Sequence, residues 1–261
     1  FDYKWDMGWM NDTLEYFKIH PYDRRREYHK LTFSMMYFYS EKFLMPLSHD
    51  EVVHGKATII QKMYGNSYEE KFKQARALYM YMYAHPGKKL NFMGNEIAQF
   101  REWDEKREQD WNILEYPMHN KFHRFMRDLN LVYINHPALF KDDYKHEGFN
   151  WIDCHQEEKC IYTFERMGEN ENIIAIFNFS DEYHEGYEIP MEYNTLEVLM
   201  DSSINEYGGD GKTNYRILIE EYIKYYEGGN KNDANSIISS HKKRLISVDM
   251  KPYSAVYFIL K

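Results

Sequence analysis

The sequence is poor in cysteine, in long apolar runs and in excess positive charge, and each shortage excludes a class of protein. Of 261 residues, 33 are Lys or Arg and 42 are Asp or Glu, so the net charge of −9 disfavours a nucleic-acid partner. No apolar run reaches the roughly 18 residues of a membrane span, and no signal-like start or lipidation motif is present. We therefore expect a soluble, cytoplasmic protein without a membrane partner.

The two cysteines, Cys154 and Cys160, lie in the segment CHQEEKC. This segment is typical of two strand ends joined by a polar turn, so the two thiols could face each other. A single pair in a chain of this size is more often two reduced thiols than a disulfide. No CxxC or HxxxH spacing accompanies them, so the sequence does not predict a metal site.

Aromatic residues, in contrast, are abundant. They make up 18% of the chain, with 25 Tyr and 5 Trp, beside a hydrophobic content of 43% that can supply a core. Amphipathic rings stack on the faces of sugars in carbohydrate-binding clefts, although core packing explains any single ring more simply.

Up to about residue 140, short apolar runs alternate with segments of helical period. The strand candidates are FDYKW, KFLMPL and KKLNFM. The clearest helix spans residues 67–87, where Ser67 and Glu70 fit an S-x-x-E capping box, and others are predicted at 120–137 and 28–40. This βα order predicts parallel strands with crossover helices.

After residue 140 the pattern becomes β-rich, and it predicts an antiparallel sandwich. The strand candidates are CIYTFERM, NIIAIFNFS, TLEVLMD, KRLISVDM and YSAVYFILK. Between them lies a polar, Gly-flanked segment that we interpret as a loop insertion with a short helix over residues 218–227. The expected domains are residues 1–142 and 143–261, with a boundary somewhere in 141–149.

Polar residues follow each of the first three strand candidates. Lys4 and Asp6 follow the first, His49 and Asp50 the second, and Asn95 and Glu96 the third. In parallel folds such positions converge on one cleft, although solvated loops give the same pattern.

A cleft of carboxylates favours glycoside chemistry, in which one acid protonates the leaving oxygen and an anion faces the oxocarbenium carbon. Two other interpretations stay open. Metal catalysis is disfavoured because His49 and His54 do not share a helix face and no H-E-x-x-H motif is present. The His49–Asp50 pair could also be buried simply to satisfy itself.

The strings YKWDMGWMNDTLEYF, PLSHDEVVHGK and GKKLNFMGNEIAQFREW resemble the last part of the glycogen (1,4-α-glucan) branching enzymes of the α-amylase superfamily. The resemblance implies an α/β plus all-β fold. The last three βα units of a (β/α)8 TIM barrel, holding its sixth to eighth strands, would precede a C-terminal antiparallel β-sandwich. The region 207–235 departs from the family, which usually has a shorter connection there.

The resemblance also implies site residues. His49 would hydrogen-bond hydroxyls of the donor sugar, and Asp50 would be the carboxylate that stabilises the transition state. The family's nucleophile and acid/base follow the fourth and fifth barrel strands, and no position here matches them. Glu96 would have a supporting role beside the cleft.

The function implied is cleavage of an α-1,4-glucan chain and its transfer, with retained configuration, to a 6-hydroxyl in glycogen biosynthesis. No cofactor or metal is implied, the substrate is an α-glucan such as glycogen, and the full-length protein would be a monomer. Three strands of eight cannot close a barrel, so we expect this chain to be an inactive fragment of a longer enzyme. The alternatives are a hydrolase or debranching enzyme of the same superfamily, or a non-catalytic glucan-binding module.

Overall fold

Three parallel strands form the first sheet, in a computed structural model that describes residues 1–193, 195–226 and 237–260. They are β1 (Lys4–Trp5), β2 (Phe43–Leu47) and β3 (Lys88–Asn91), hydrogen-bonded in that order. The register pairs Trp5 with Leu44 and Leu44 with Lys88. The parallel direction confirms the prediction from the βα order, and it brings three carboxyl ends to one edge of the sheet.

Seven α-helices accompany this sheet in the described residues: α1 (Met7–Lys18), α2 (Pro21–Arg24), α3 (His29–Thr32), α4 (Ser34–Tyr37), α5 (Ile59–Lys62), α6 (Tyr68–Ala84) and α7 (Pro117–Asn135). The long helices predicted at 67–87 and 120–137 are confirmed as α6 and α7. The helix predicted at 28–40 is confirmed as helical backbone but not as one continuous helix, because α3, α4 and a 3₁₀ turn occupy that region. Hydrogen bonds there, such as Met36 N–H to Phe33 O, span three residues instead of four.

Helix α6 is the central element of the fold. Ser67 begins it by accepting the N–H of Glu70 on its side-chain oxygen at 3.3 Å. From residue 74 to residue 84 every side chain is buried, although the sequence predicted one apolar face. The helix is buried on all sides because α5 and α7 pack on it together with strands of the second half.

Two antiparallel sheets make up the second half. Their strands are β4 (Phe149–Gln156), β5 (Ile161–Met167), β6 (Asn172–Asn178), β7 (His184–Met191), β8 (Leu196–Asp201), β9 (Tyr215–Tyr226), β10 (Ile237–Met250) and β11 (Ser254–Leu260). Five strands are ordered β4-β5-β6-β11-β8 and three are ordered β7-β10-β9. All five predicted β-rich runs form strands, whereas β4, β7 and β9 lie outside those runs.

The helix predicted at residues 218–227 is wrong, because residues 215–226 form β9. This strand pairs with β10 from Tyr215 opposite Val248 to Tyr226 opposite Ile237. Exposed apolar side chains recur there at every second residue, at Tyr215, Ile217 and Ile219, which is the spacing of one face of a strand. The region that departs from the family spans residues 207–235, and its end from residue 227 onward lies outside the described residues.

The two halves share one hydrophobic core. Trp9 and Phe17 of α1, Leu78 of α6, and Phe164 and Tyr257 of the five-stranded sheet belong to the same buried cluster. A second cluster lies between the two antiparallel sheets and includes Ile174, Ile189, Ile246 and Phe258. No helix among the described residues is long and apolar enough to cross a membrane.

Buried arginines join the halves as well. Arg24 donates to Phe179 O at 2.6 Å, Arg76 to Ser202 O at 2.9 Å, and Arg166 to Ala84 O at 2.7 Å. These three side chains are at most 1% exposed. Each guanidinium satisfies carbonyl groups of the other half, so separating the halves would leave buried charges and carbonyls without partners.

Candidate active site

The turn after β2 is built by a reciprocal cap. Ser48 donates from both its backbone N and its hydroxyl to Oε2 of Glu51, each at 2.7 Å, and accepts the N–H of Asp50 at 3.2 Å. This capping box starts a 3₁₀ helix over His49–Val52. The Glu51 carboxylate is therefore buried inside the turn, at 6% exposure, whereas His49 and Asp50, which lie between Ser48 and Glu51, are exposed.

His49 and Asp50 form an exposed pair at this turn. His49 Nε2 lies 3.4 Å from Asp50 Oδ1, and the two side chains are 46% and 53% exposed. The His49 ring lies 5.7 Å from the ring of Phe92 and 6.2 Å from that of Trp103, measured between centroids. Exposure contradicts the interpretation of a pair buried to satisfy itself, and it leaves both groups free to meet a ligand.

An open pocket of about 430 Å³ lies beside this pair. Two segments line it: His49, Asp50, Val53 and His54 from the first, and residues 101–105 with Arg107 from the second. The pocket thus combines carboxylates, imidazoles, guanidinium groups and one indole ring. Such a mixture of a flat apolar face and hydrogen-bonding groups suits a polyhydroxylated ligand better than a purely apolar one.

Asp6, at the end of β1, does not join this pocket. Its Oδ1 accepts the Trp9 N–H and the Tyr37 hydroxyl, both at 2.8 Å, so it serves as the N-cap of α1. The side chain is 2% exposed, and burial raises its pKa. Lys4 is paired with Glu41 at 2.7 Å. Lys4 and Asp6 therefore do not line this pocket, whereas Met7, Met10 and Asn11 just beyond β1 line a second cavity together with Asp50.

Asn95 and Glu96, beyond β3, do not line this pocket either, as far as the described residues show. Asn95 is 6% exposed and donates to Asn91 Oδ1 at 3.2 Å and to Leu47 O at 3.4 Å, so it links the ends of β2 and β3. Glu96 is half-buried. The sequence predicted that these residues share a rim with Asp50, whereas in the structure the loop that follows them lies there.

That loop supplies the site residues that sequence reasoning missed. Arg101 donates to both oxygens of Asp110, with contacts of 2.9 to 3.1 Å, and to Glu108 O at 2.6 Å. The bidentate pair closes the loop and presents Glu102 and Trp103 to the pocket. Arg101, Glu102 and Trp103 are the last three residues of GKKLNFMGNEIAQFREW, one of the strings that carry the family resemblance. Nothing in their spacing indicates that they contact the turn after β2.

Trp103 also touches the turn directly. Its backbone N–H donates to Val52 O at 3.0 Å, and its ring stands at 90° to that of Phe92, 5.3 Å away. The two rings form an aromatic corner against the His49 imidazole. Aromatic rings fixed in this way offer a pre-formed stacking surface that loses little conformational entropy on binding.

Neither cysteine contributes to the site. Cys154 and Cys160 are both free thiols, which confirms that they are not joined as a disulfide, and burial raises the pKa of each. Within the described ranges, no three His, Cys, Asp or Glu side chains converge as metal ligands would.

Comparison with known proteins identifies relatives for both halves. The family model of the α-amylase C-terminal all-beta domain matches residues 151–261. A 1,4-α-glucan branching enzyme of Bacillus cytotoxicus is 45% identical over 221 residues, which cover 84% of this chain and 34% of that protein. The corresponding enzyme of Oceanobacillus iheyensis is 44% identical over 217 residues, covering 82% and 34%. The chain thus spans about a third of the length of these relatives.

Solved structures share the fold at low sequence identity. An α-amylase from H. orenii superposes with a TM-score of 0.54 and 14% identity, covering 100% of this chain and 49% of that one. A pullulanase from Anoxybacillus, complexed with maltotetraose, superposes with a TM-score of 0.59 and 10% identity, covering 98% of this chain and 35% of that one. Taken together, the family model and the sequence relatives identify this chain as related to the 1,4-α-glucan branching enzymes of the α-amylase superfamily, of which it spans about a third of the length.

Proposed function

We propose that this chain is the C-terminal part of a 1,4-α-glucan branching enzyme. Residues 1–142 would hold the last three βα units of the catalytic (β/α)8 barrel, and residues 143–261 the C-terminal β-sandwich domain. Three parallel strands at the start, two antiparallel sheets after them and the 45% identical relative support this arrangement. A three-stranded parallel sheet has unpaired edges, which fits a barrel completed by further strands.

In this proposal, Asp50 stabilises the transition state and His49 binds the donor sugar. Cleavage of an α-1,4 bond builds positive charge on the anomeric carbon, and a carboxylate held beside the ring hydroxyls binds the flattened sugar more tightly than the relaxed one. The observation that carries the proposal is the exposure of both side chains, at 46% and 53%, on a capped turn at the mouth of the pocket. The nucleophile and the acid/base would come from the remainder of the enzyme.

The reaction would retain configuration, as the resemblance to the branching enzymes implies. It would need no cofactor or metal, because an acid on the leaving oxygen and a carboxylate at the anomeric carbon suffice to cleave an acetal. Its product would be an α-1,6 branch in glycogen. The net charge of −9 suits a neutral α-glucan better than a nucleic acid. We further propose that the full-length enzyme acts as a cytoplasmic monomer without a membrane partner.

The test is a branching assay on the full-length enzyme with Asp50→Asn, using the loss of iodine staining of amylose. We expect turnover to fall by about 10³-fold or more, since a group acting only in the transition state supplies several kcal/mol. Asp23→Asn, at an exposed carboxylate on α2, is the matched control. The 261-residue chain alone is expected to be inactive.

Unchanged branching in Asp50→Asn would contradict the assigned role, and iodine-stain loss with the isolated chain would contradict the need for outside carboxylates. Counting reducing ends separates transfer from hydrolysis. A branching enzyme conserves their number, whereas a hydrolase or debranching enzyme increases it in step with bond cleavage. A glucan-binding module would show neither effect.

A further inference from the structure

Glu102, in the second segment that lines the pocket, holds the turn of residues 53–57 that follows Asp50. Its Oε2 accepts the N–H of Gly55 at 2.9 Å, and its Oε1 accepts the N–H of Ala57 at 2.7 Å. Both oxygens of one carboxylate are thus used by two backbone donors of the same turn. Hydrogen bonds to an ionised acceptor are shorter and stronger than neutral ones, so this contact can hold a loop in place.

The turn needs such a contact, because its backbone is strained. His54, Gly55 and Ala57 have φ angles of 59°, 78° and 66°, and two of these residues carry a Cβ. Residues other than glycine rarely adopt this left-handed region. Conformations of this kind persist only where surrounding interactions over-determine them.

The strained turn is connected to Asp50 by direct hydrogen bonds. Lys56 lies between the two N–H groups that Glu102 accepts, and its Nζ donates to Asp50 O at 2.8 Å. Lys62 donates to both Glu51 O and Ala57 O. A shift of the residues that Glu102 holds would therefore be passed to the Asp50 backbone through Lys56.

We infer that Glu102 is a positioning residue for Asp50: its carboxylate fixes residues 53–57, and through them the aim of the Asp50 side chain into the pocket. This inference rests on the proposed function. A carboxylate that acts in the transition state must be held to within a fraction of an ångström, so loss of the clamp lowers the rate of the chemical step more than the affinity for substrate.

The experiment compares Glu102→Ala, Glu102→Gln and Glu102→Asp in the full-length enzyme. We expect kcat to fall about 10- to 100-fold in Glu102→Ala while KM changes less than about threefold, the signature of misplacement. Glu102→Gln should behave similarly, because its amide nitrogen would face a second N–H. Glu102→Asp should recover part of the rate, since it keeps the carboxylate.

Two further measurements separate positioning from a general loss of stability. Amide hydrogen exchange on the 261-residue chain should speed up at Gly55 and Ala57 in Glu102→Ala, with Tm unchanged within about 2 °C. Glu115→Gln, at an exposed acid in the turn before α7, is the control and should leave kcat and exchange as in the wild type.

Wild-type kcat in an active Glu102→Ala enzyme would overturn the inference and leave the proposed function standing. A fall in kcat that only matches a drop in the folded fraction would overturn it as well. If the wild-type full-length protein itself fails to branch amylose, the proposed function falls first. In that case faster exchange at Gly55 and Ala57 would still identify Glu102 as a clamp on the turn.

Discussion

Burial separates the two acids that follow β1 and β2. Asp6 follows β1 directly and Asp50 lies in the turn after β2, yet Asp6 is 2% exposed whereas the Asp50 side chain is 53% exposed. The difference arises from the local partner. The Asp6 carboxylate accepts a free N–H group at the start of α1. At Asp50 it is the backbone N–H that is bound by Ser48, so the side chain does not serve as the cap of that turn. A capping carboxylate is unavailable for chemistry.

His85 is a buried histidine whose tautomer follows from its partners. Its Nδ1 lies 2.8 Å from Pro86 O, a group that can only accept, so Nδ1 carries the proton. Nε2, 3.0 Å from the Ser34 hydroxyl, then accepts from that hydroxyl. Both ring nitrogens are satisfied in the neutral form, and burial lowers the pKa of His85 to about 3.

This histidine should make the protein acid-labile. In the unfolded chain a histidine has a pKa of about 6.5. Below that pH the histidine is protonated in the unfolded chain but stays neutral in the folded chain. The free energy of unfolding therefore decreases as the pH is lowered, until the folded pKa of about 3 is reached. At pH 5 the loss would be about 2 kcal/mol.

The measurement is urea unfolding of the wild type and of His85→Asn at pH 7, 6 and 5. We expect His85→Asn to be less stable than the wild type at pH 7 but to lose less stability between pH 7 and 5. His155→Asn, at an exposed histidine of β4, controls for the removal of one imidazole. Parallel pH profiles for His85→Asn and the wild type would contradict the assignment.

At the scale of elements, helix α6 shows how a cap defines where a buried helix begins. Ser67 accepts the Glu70 N–H at 3.3 Å, and Glu69 and Glu70 lie in the first turn. Acidic residues there also interact favourably with the positive end of the helix dipole. This start is set locally, because Tyr68 and the two glutamates are less buried than the rest of the helix.

Replacing Ser67 by Ala should therefore destabilise the protein without changing its fold. We expect a loss of about 1 kcal/mol, typical of a lost N-cap. Ser67→Asp keeps a side-chain acceptor and should retain most of the stability. Urea midpoints at unchanged m-value would measure both effects. Equal midpoints for Ser67→Ala and the wild type would show that the cap contributes nothing here.

At the scale of the whole molecule, the two halves are expected to unfold together. The shared core and the three buried arginines make the all-β half depend on α1 and α6. A fragment of residues 143–261 would expose Phe164, Phe177 and Tyr257, which are fully buried in the whole chain. Exposure of so much apolar surface removes several kcal/mol of stabilisation, at about 25 cal/mol per Å².

Scanning calorimetry can test this dependence. The 261-residue chain should show a single cooperative transition, and the fragment 143–261 should show none or one at a temperature lower by more than about 10 °C. The near-ultraviolet circular dichroism of the fragment should also be weak. A fragment that melts cooperatively at the temperature of the whole chain would contradict the shared core and revive an independent glucan-binding module.

Much of the architecture could be predicted because it depends on local pattern. The strands β1 to β3, helices α6 and α7 and the five β-rich runs all follow from apolar periodicity with Gly, Pro and capping residues at their ends. The errors fall where long-range pairing decides. Residues 215–226 have enough helical character to mislead, and their pairing with β10 makes them a strand.

The candidate site divides in the same way. A polar cluster after an apolar run predicted His49 and Asp50 at the end of β2, and the resemblance gave their proposed roles, but the exposure of the two side chains came from the structure. The partners in the pocket did not follow. Glu102 and Trp103 meet the turn across 45 residues or more of sequence, and such contacts leave no periodic trace.

By itself, the sequence determined which segments are helices and strands in most of the chain, the family resemblance, and the presence of a carboxylate at the end of β2. Only the tertiary structure decided which acids are exposed at the pocket, because Asp6 and Asp50 both follow strands and differ in the partners that folding brings to them. The physical reason is that periodicity depends on neighbours in the chain, whereas burial and hydrogen bonding depend on neighbours in space.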